Sequence, residues 1–291
     1  DAFVERFISE SDDFDAIALL MRQRGQACAV RNESSDVQRH WQERALSLNP
    51  SSTGLFDYFQ ETRTLDDQDL SFLTGLAMHE QTDTRIGLQI ALKAIAFESE
   101  QSTHDGWIEL LINCYRRSQT YDADHQKAIE HLRTHDRLSM AADLLKESAT
   151  IEKDEMIQRS LLLDAGDLML EEDPKESARC YYKAFETKRD DRVILSKLLD
   201  AYQKSEEWSK SAKVLRKLAS LAGEQVLKAK YLYAKGVIER DKLNNHTSAV
   251  RTFDKALDAD PTLVKAIQAI DEVITDDQDF QRQDRYYRKC L

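Results

Sequence analysis

The sequence predicts an all-α protein in which antiparallel helix pairs stack into an α-solenoid. Glycine and proline are rare, with 8 and 3 residues in a chain of 291, so little of the chain is available for turns or sheets. Apolar residues recur at helical spacing almost throughout. Small residues return at long regular intervals, since Gly166 and Gly236 lie 70 positions apart, or two periods of 35. A fixed period of this length predicts a helical repeat protein.

The first third of the chain carries the weaker repeats. Helices are predicted near residues 2–9, 12–30, 35–48, 52–62, 67–80 and 83–98. Small residues occur at repeat-like spacing at Gly75, Gly87, Ala91 and Ala94. The helix-end segment Arg44–Pro50 parallels Lys255–Pro261, 211 residues later. We therefore predict divergent helical repeats in residues 1–100 and a clearer repeat array in residues 101–291, with the last repeat incomplete.

The remaining chain has the stronger pattern, with helices predicted near 104–118, 122–133, 136–149, 152–171, 174–188, 191–205, 208–222, 225–241, 246–258, 261–275 and 278–290. Asp173 before Pro174 predicts an N-cap followed by a proline in the first turn. Pro261 is likewise expected in the first turn of a helix. Two units place small and aromatic residues in a similar order: Gly166, Ala178, Tyr182 and Phe185 in one, and Gly236, Ala249, Phe253, Ala256 and Pro261 in the other.

These spacings resemble the tetratricopeptide repeat, a helix-turn-helix unit of 34 residues. Its pattern has a small residue, a second small residue twelve positions later, an aromatic residue after four more, and a third small residue after three more. Gly166, Ala178 and Tyr182 match without an insertion, although Phe185 is large for its place. The unit of Gly236 matches with one extra residue, expected in the turn at 244–245. The resemblance implies a right-handed solenoid that binds proteins.

In this family, ligands usually lie along the concave face made by the first helix of each pair. Carrying the pattern over residue by residue predicts these partner-binding residues: Leu163, Asp167, Leu170, Ser196, Asp200, Gln203, Lys204, Tyr233, Val237 and Arg240. The Lys and Asn pair with which chaperone-tail binders of this family clamp a carboxylate is absent from these positions. The carboxylates of Asp167 and Asp200 instead favour a basic protein or peptide partner.

Charge and cysteine content narrow the classes of partner and compartment. The formal net charge is −12 and no basic stripe occurs in the sequence, which argues against nucleic acid. No apolar run is long enough to predict a membrane span. Cys28, Cys114, Cys180 and Cys290 are scattered, so they predict buried single thiols rather than disulfides or a zinc site. This usage fits a reducing, cytoplasmic compartment.

One histidine cluster and two acidic stretches are the candidates for metal binding or catalysis. His131 and His135 share a helix face, near His125 and Glu130, but Leu132 stands where zinc proteases have Glu, and no third ligand is evident. An exposed polar helix surface without metal is the preferred interpretation. The acidic stretches 66–69 and 276–279 lack the Gly and Glu of a calcium loop and are expected to cap helices. No phosphate loop or nucleophile elbow occurs, so neither a cofactor nor catalysis is predicted.

Two classes of function remain open. The chain is either a scaffold or adaptor that binds a partner, or the sensor or regulatory segment of a larger enzyme such as a protease, kinase or defence effector. The second class is suggested by a start without Met and an end inside a predicted helix pair. Self-association is a further possibility, through the apolar residues Phe280, Tyr286 and Tyr287 of the last predicted helix.

Overall fold

The computed structural model describes residues 2–10, 13–31, 35–49, 67–79, 82–98, 104–118 and 121–276. The chain divides into two compact units, Asp1–Arg137 and Leu138–Leu291. Helices account for nearly all of the described residues, and no strand occurs among them, which confirms the prediction of an all-α fold. The helices predicted near 52–62 and 278–290 lie outside the described residues.

Unit 1 contains seven helices in its described ranges: α1 Ala2–Glu10, α2 Phe14–Val30, α3 Ser35–Leu48, α4 Asp67–Met78, α5 Thr84–Glu98, α6 His104–Arg117 and α7 Ala123–Thr134. Helix α2 packs against α3, α4 against α5, and α5 against α6. Helix α5 also contacts α7. Large side chains such as Met21 of α2 and Trp41 of α3 are buried, so each helix covers the apolar side of its neighbour.

The two glycines predicted as repeat positions in unit 1 behave differently. A Cβ on Gly87 of α5 would lie 3.2 Å from the carbonyl oxygen of Ala77 in α4, so a small residue is needed for these helices to approach. A Cβ on Gly75 of α4 would meet nothing within 4 Å. Gly75 therefore has the repeat-like spacing in the sequence but does not lie in a close helix–helix contact. Ala77 faces α5 instead, because two residues turn an α-helix by about 200°.

Unit 2 contains eight described helices: α8 Leu138–Ile151, α9 Glu155–Met169, α10 Pro174–Thr187, α11 Arg192–Lys204, α12 Trp208–Leu221, α13 Gln225–Asp241, α14 His246–Ala259 and α15 Val264–Asp276. Each helix packs against the next one in the chain, and α13 also contacts α15. This is the pattern of a helical repeat array, in which each pair of helices buries its apolar side against its neighbours.

A close contact between a glycine and an aromatic ring joins the two helices of a pair. A Cβ on Gly166 of α9 would lie 2.4 Å from Cε1 of Tyr181 in α10, and a Cβ on Gly236 of α13 would lie 2.4 Å from Cε1 of Phe253 in α14. Both rings are fully buried. The missing side chain therefore makes room for a large ring, which fills the space between the paired helices.

The buried ring of the α9–α10 pair is Tyr181, and the prediction of Tyr182 in this role is wrong. Tyr182 is 48% exposed, whereas Tyr181 is 0% exposed. Gly166 and Tyr181 are 15 residues apart in the sequence, one fewer than in the family pattern. The connection between these two helices is therefore one residue shorter than expected. The shift also replaces the oversized Phe185 by Ala184, which is fully buried.

In the α13–α14 pair, the predicted extra residue is confirmed. Gly236 and Phe253 are 17 residues apart, one more than in the family pattern. Asn244 has a φ of 48°, in the left-handed region that Asn tolerates better than most residues. The side chain of Asn245 then accepts a hydrogen bond from the amide of Ser248 and so caps α14.

Aspartates cap the starts of three helices of unit 2, α9, α10 and α11. The Asp173 carboxylate accepts from the amides of Lys175 and Glu176, and Pro174 occupies the first turn of α10, which confirms the predicted cap. Pro261 differs from its prediction, because α15 begins at Val264. The proline lies in the turn before the helix.

Candidate functional site

Five of the predicted partner-binding residues are exposed on the first helices α9 and α11. We call them the first-helix face: Asp167, Ser196, Asp200, Gln203 and Lys204. The other five predicted residues are half-buried: Leu163, Leu170, Tyr233, Val237 and Arg240. The ten residues predicted from the resemblance therefore fall into two groups. Five form an open surface on two helices, and five take part in packing.

Ion pairs connect α9 to α11 across the first-helix face. The Lys197 Nζ atom lies 2.5 Å from Oδ1 of Asp167 on α9. The Lys204 Nζ atom lies 2.5 Å from Oε1 of Glu171, in the turn that follows α9. Lys204 also lies 3.7 Å from the carboxylate of Asp200. The two helices therefore present one continuous surface, on which the acidic groups already have cationic neighbours.

Asp167 also contacts the second helix of its own pair. The buried Tyr181 hydroxyl donates a 2.5 Å hydrogen bond to Oδ1 of Asp167, and the Lys197 Nζ atom lies 5.6 Å from the centre of the Tyr181 ring. Burial, followed by the hydrogen bond to Asp167, raises the pKa of Tyr181 well above its usual value. The phenol therefore stays protonated at neutral pH and can continue to donate this hydrogen bond.

On α13, the predicted residues Tyr233, Val237 and Arg240 hold helices together. Tyr233 and Val237 of α13 pack against a core cluster made of residues from α14 and α15: Ala249, Phe253, Ala266, Ala269 and Ile270. The Tyr233 and Phe253 ring centres are 5.7 Å apart. The Arg240 guanidinium lies 2.6 Å from carboxylate oxygens of Asp241 and Glu272. The structure does not bring these residues onto the open surface of α9 and α11.

A buried polar cluster between α13 and α14 was not predicted. The Glu239 carboxylate accepts hydrogen bonds from Lys235 at 2.6 Å, Thr252 at 2.6 Å and Ser248 at 2.8 Å. Burial alone would raise the pKa of Glu239, but the hydrogen bonds from Lys235, Thr252 and Ser248 outweigh it and lower that pKa below its usual value. Because every contact lies within one helix pair, the cluster stabilises the fold.

A groove of about 1160 Å³ lies in unit 2, and none of its lining residues belongs to the first-helix face. Second helices α10 and α12 form its walls, and α11 contributes Leu195, Leu198 and Tyr202. Tyr182 and Phe185 line the α10 wall, with ring centres 6.5 Å apart. We call this feature the second-helix groove. The register of α10 accounts for the exposed ring of Tyr182, because the burial of Tyr181 turns the next side chain outwards.

Basic side chains dominate the lining of the second-helix groove. Eight basic residues line it, against the three acidic residues Glu176, Glu186 and Glu207. The basic residues are Lys146, Lys175, Arg179, Lys183, Arg189, Lys210, Lys213 and Lys217. Salt bridges join Lys146 and Arg179 to Glu176, Lys210 to Glu207, and Lys217 to Asp190. The ion pairs among the described residues of unit 2 do not include Lys175, Lys183, Arg189 or Lys213.

The side chains of the histidine cluster contact neighbouring residues of unit 1. His125 is 1% exposed, its Nδ1 atom lies 2.9 Å from Asp122 Oδ1, and its ring centre lies 4.6 Å from that of Tyr115. The prediction of exposed imidazoles is therefore wrong for His125. His131 and His135 are half-buried with ring centres 4.1 Å apart. Among the described residues, no group of three His, Cys, Asp or Glu side chains is arranged to bind a metal.

The described cysteines are buried, as predicted. Cys28, Cys114 and Cys180 are all buried, and Cys290 lies outside the described residues. Burial raises the pKa of the Cys114 and Cys180 thiols to about 11. Since the thiolate is the reactive form, these two side chains act as small apolar residues.

None of the helices in the described part of the chain has both the length and the apolar composition of a membrane span. No protein-family model matches the chain, and no curated protein matches it. Among solved structures, the chain matches YrrB, a TPR protein with an unusual peptide-binding site, at 14% identity and a TM-score of 0.37 over 78% of this chain and 96% of that one. It also matches PilF of Pseudomonas aeruginosa, at 14% identity and a TM-score of 0.30 over 89% and 99% of the two chains. In the glycine-to-ring contacts of its helix pairs, the chain resembles tetratricopeptide-repeat proteins.

Proposed function

We propose that this chain is a non-catalytic scaffold whose first-helix face binds a protein or peptide partner. One observation carries the proposal: Val193, Ser196, Asp200 and Gln203 form an exposed stripe along α11. Their spacing of three, four and three residues places them on one side of the helix. The stripe combines an apolar side chain, 65% exposed at Val193, with hydroxyl, carboxylate and amide groups that can hydrogen-bond a partner.

The ion pairs around the stripe support this proposal. The Asp167–Lys197 and Glu171–Lys204 pairs connect the helices that carry the surface, so less side-chain freedom is lost when a partner binds. The same pairs place a lysine beside Asp167 and another beside Asp200. We therefore expect recognition to depend on hydrogen bonds and on the shape of the stripe, with little selection for a basic partner.

Two substitutions on the stripe test the proposal. The variant Asp200→Lys with Gln203→Lys changes the charge of the exposed surface without touching a buried residue. The variant Glu172→Lys with Ser209→Lys makes the same change in net charge at exposed positions outside the stripe, and it serves as the matched control. In a quantitative affinity pull-down, the unaltered chain and the control should recover the same partner proteins. The stripe variant should recover about tenfold less of them.

A photo-crosslinking amino acid identifies the contact directly. Placed at Gln203, it should link the same partner that the pull-down recovers, whereas placed at Glu172 it should not. Equal recovery by all three chains, or crosslinks at Glu172 but none at Gln203, would contradict a binding site on the first-helix face.

A further inference from the structure

We infer that the second-helix groove is a separate binding site for an acidic peptide segment that carries an apolar side chain. The groove lies between second helices, so its residues are distinct from those of the first-helix face. The inference does not depend on a partner at that face. Both binding sites require only that unit 2 is folded.

Charge complementarity is the first argument. The whole chain carries a net charge of −12, yet the groove lining has an excess of five positive charges. Adding the two carboxylates that pair with lining lysines from outside, Asp143 and Asp190, still leaves an excess of three. Lys183 on the α10 wall and Lys213 on the α12 wall are both exposed, so carboxylates of a bound segment can meet a cation on either side.

The apolar lining is the second argument. Leu195, Leu198 and Val214 line the groove but are themselves buried. The apolar side chains open to a ligand are Phe185, which is half-buried, and Tyr182, which is 48% exposed. The Tyr202 ring lies 5.3 Å from the Lys210 Nζ atom, so a cation already covers one aromatic surface. An apolar side chain of a bound peptide would cover the exposed part of the Tyr182 ring. Removing that ring surface and the ligand's own apolar surface from water favours binding.

The distribution of charge favours a peptide over a nucleic acid. Glu176, Glu186 and Glu207 line the same groove as the lysines. A continuous row of phosphates would pass close to these carboxylates and lose much of the favourable electrostatic energy on which nucleic-acid binding depends. A peptide can place its carboxylates opposite the lysines and its apolar side chain between them, and recognition of acidic motifs by basic clusters is a recurrent mode of peptide binding.

The test uses a short fluorescein-labelled peptide of glutamates with a central phenylalanine and leucine, and measures its binding to the full chain by fluorescence anisotropy. The variant Lys183→Glu with Lys213→Glu should weaken binding at least about tenfold, because two attractive contacts become repulsive. The variant Arg251→Glu with Lys255→Glu makes the same charge change at two exposed residues of α14 outside the groove, and it should bind like the unaltered chain. Tyr182→Ser should also weaken binding, since it removes the exposed ring.

Probe controls separate the proposed ligand from other anions. A peptide with glutamines in place of glutamates, and a glutamate peptide with serines in place of the apolar residues, should both bind more weakly. Equal loss in the groove variant and the α14 variant would overturn the inference, since attraction would then be non-specific. A second adverse outcome is that a single-stranded oligonucleotide binds more tightly than the peptide and loses that binding in the variant Lys183→Glu with Lys213→Glu. This result would refute an acidic peptide as the ligand of the groove. The Asp200→Lys and Gln203→Lys variant should bind the peptide normally, so failure at one site is distinguishable from failure at the other.

Discussion

Replacing Gly236 by Ala should destabilise unit 2, although alanine is the better helix former. The added Cβ would lie 2.4 Å from Cε1 and 2.6 Å from Cδ1 of the Phe253 ring. Carbon atoms in good contact are about 3.5–4.0 Å apart, so the ring has to retreat by roughly 1 Å. Phe253 is 0% exposed and lies in the core cluster with Ala266, Ala269 and Ile270. Space for that movement is therefore lacking.

Two opposing contributions set the size of the effect. An alanine in the interior of a helix is favoured over glycine by about 1 kcal/mol. Overfilling a packed core costs about 1–3 kcal/mol, and an overlap this deep belongs at the upper end. We therefore expect Gly236→Ala to lower the free energy of unfolding by about 2 kcal/mol. Gly75→Ala, also within a helix but with nothing within 4 Å of the new Cβ, should raise it by about 1 kcal/mol.

The assay is urea unfolding of the full chain followed by circular dichroism, with hydrogen exchange of α13 and α14 as the local measurement. Exchange should become faster in these two helices in Gly236→Ala and remain unchanged in Gly75→Ala. In a Phe253→Leu background, the cost of Gly236→Ala should shrink, because the two positions are in contact. A Gly236→Ala protein as stable as the unaltered chain, with unchanged exchange in α13, would refute the close contact.

Two further substitutions test the polar contacts of unit 2. Glu239→Ala should lower the free energy of unfolding by about 3 kcal/mol, because it leaves the half-buried Lys235 without its buried carboxylate. Folding lowers the Glu239 pKa from 4.5, so the stabilisation by this carboxylate is present above pH 4.5 and is lost as the pH falls through the pKa of the folded protein. In urea unfolding, the stability difference between the variant and the unaltered chain should therefore be smaller in acid than at neutral pH. Asp173→Ala should cost about 1 kcal/mol by removing the N-cap of α10, whereas Glu172→Ala, which changes the adjacent exposed residue, should leave the thermal unfolding midpoint nearly unchanged.

The repeat architecture could be predicted from the sequence because glycine and ring positions are restricted by packing. The register of α10 could not, because Tyr181 and Tyr182 are the same residue type in adjacent positions. Both fit an aromatic place, and only the length of the connection after Gly166 decides which one is buried. In α13–α14 a single ring, Phe253, was available, and the prediction was confirmed there.

The binding surfaces were predictable to different degrees. The family pattern led to Ser196, Asp200 and Gln203 on one exposed side of α11, although which of them bind a partner stays a prediction. The second-helix groove was missed because its cations come from separate parts of the chain, mainly from α10 and α12, with Lys183 and Lys213 30 residues apart in the sequence. A basic surface arises only when α10 and α12 become neighbours. The burial of His125 also depends on contacts that a single helix pattern does not contain.

The carboxylate of Asp167 on α9 links three helices, because it accepts a hydrogen bond from Tyr181 of α10 and forms an ion pair with Lys197 of α11. The contact to Lys197 is electrostatic and partly open to water, so dissolved ions weaken it. The packing of Gly236 against Phe253 has no such dependence. Added salt should therefore weaken the link between α9 and α11 and leave the packing of Gly236 against Phe253 unchanged.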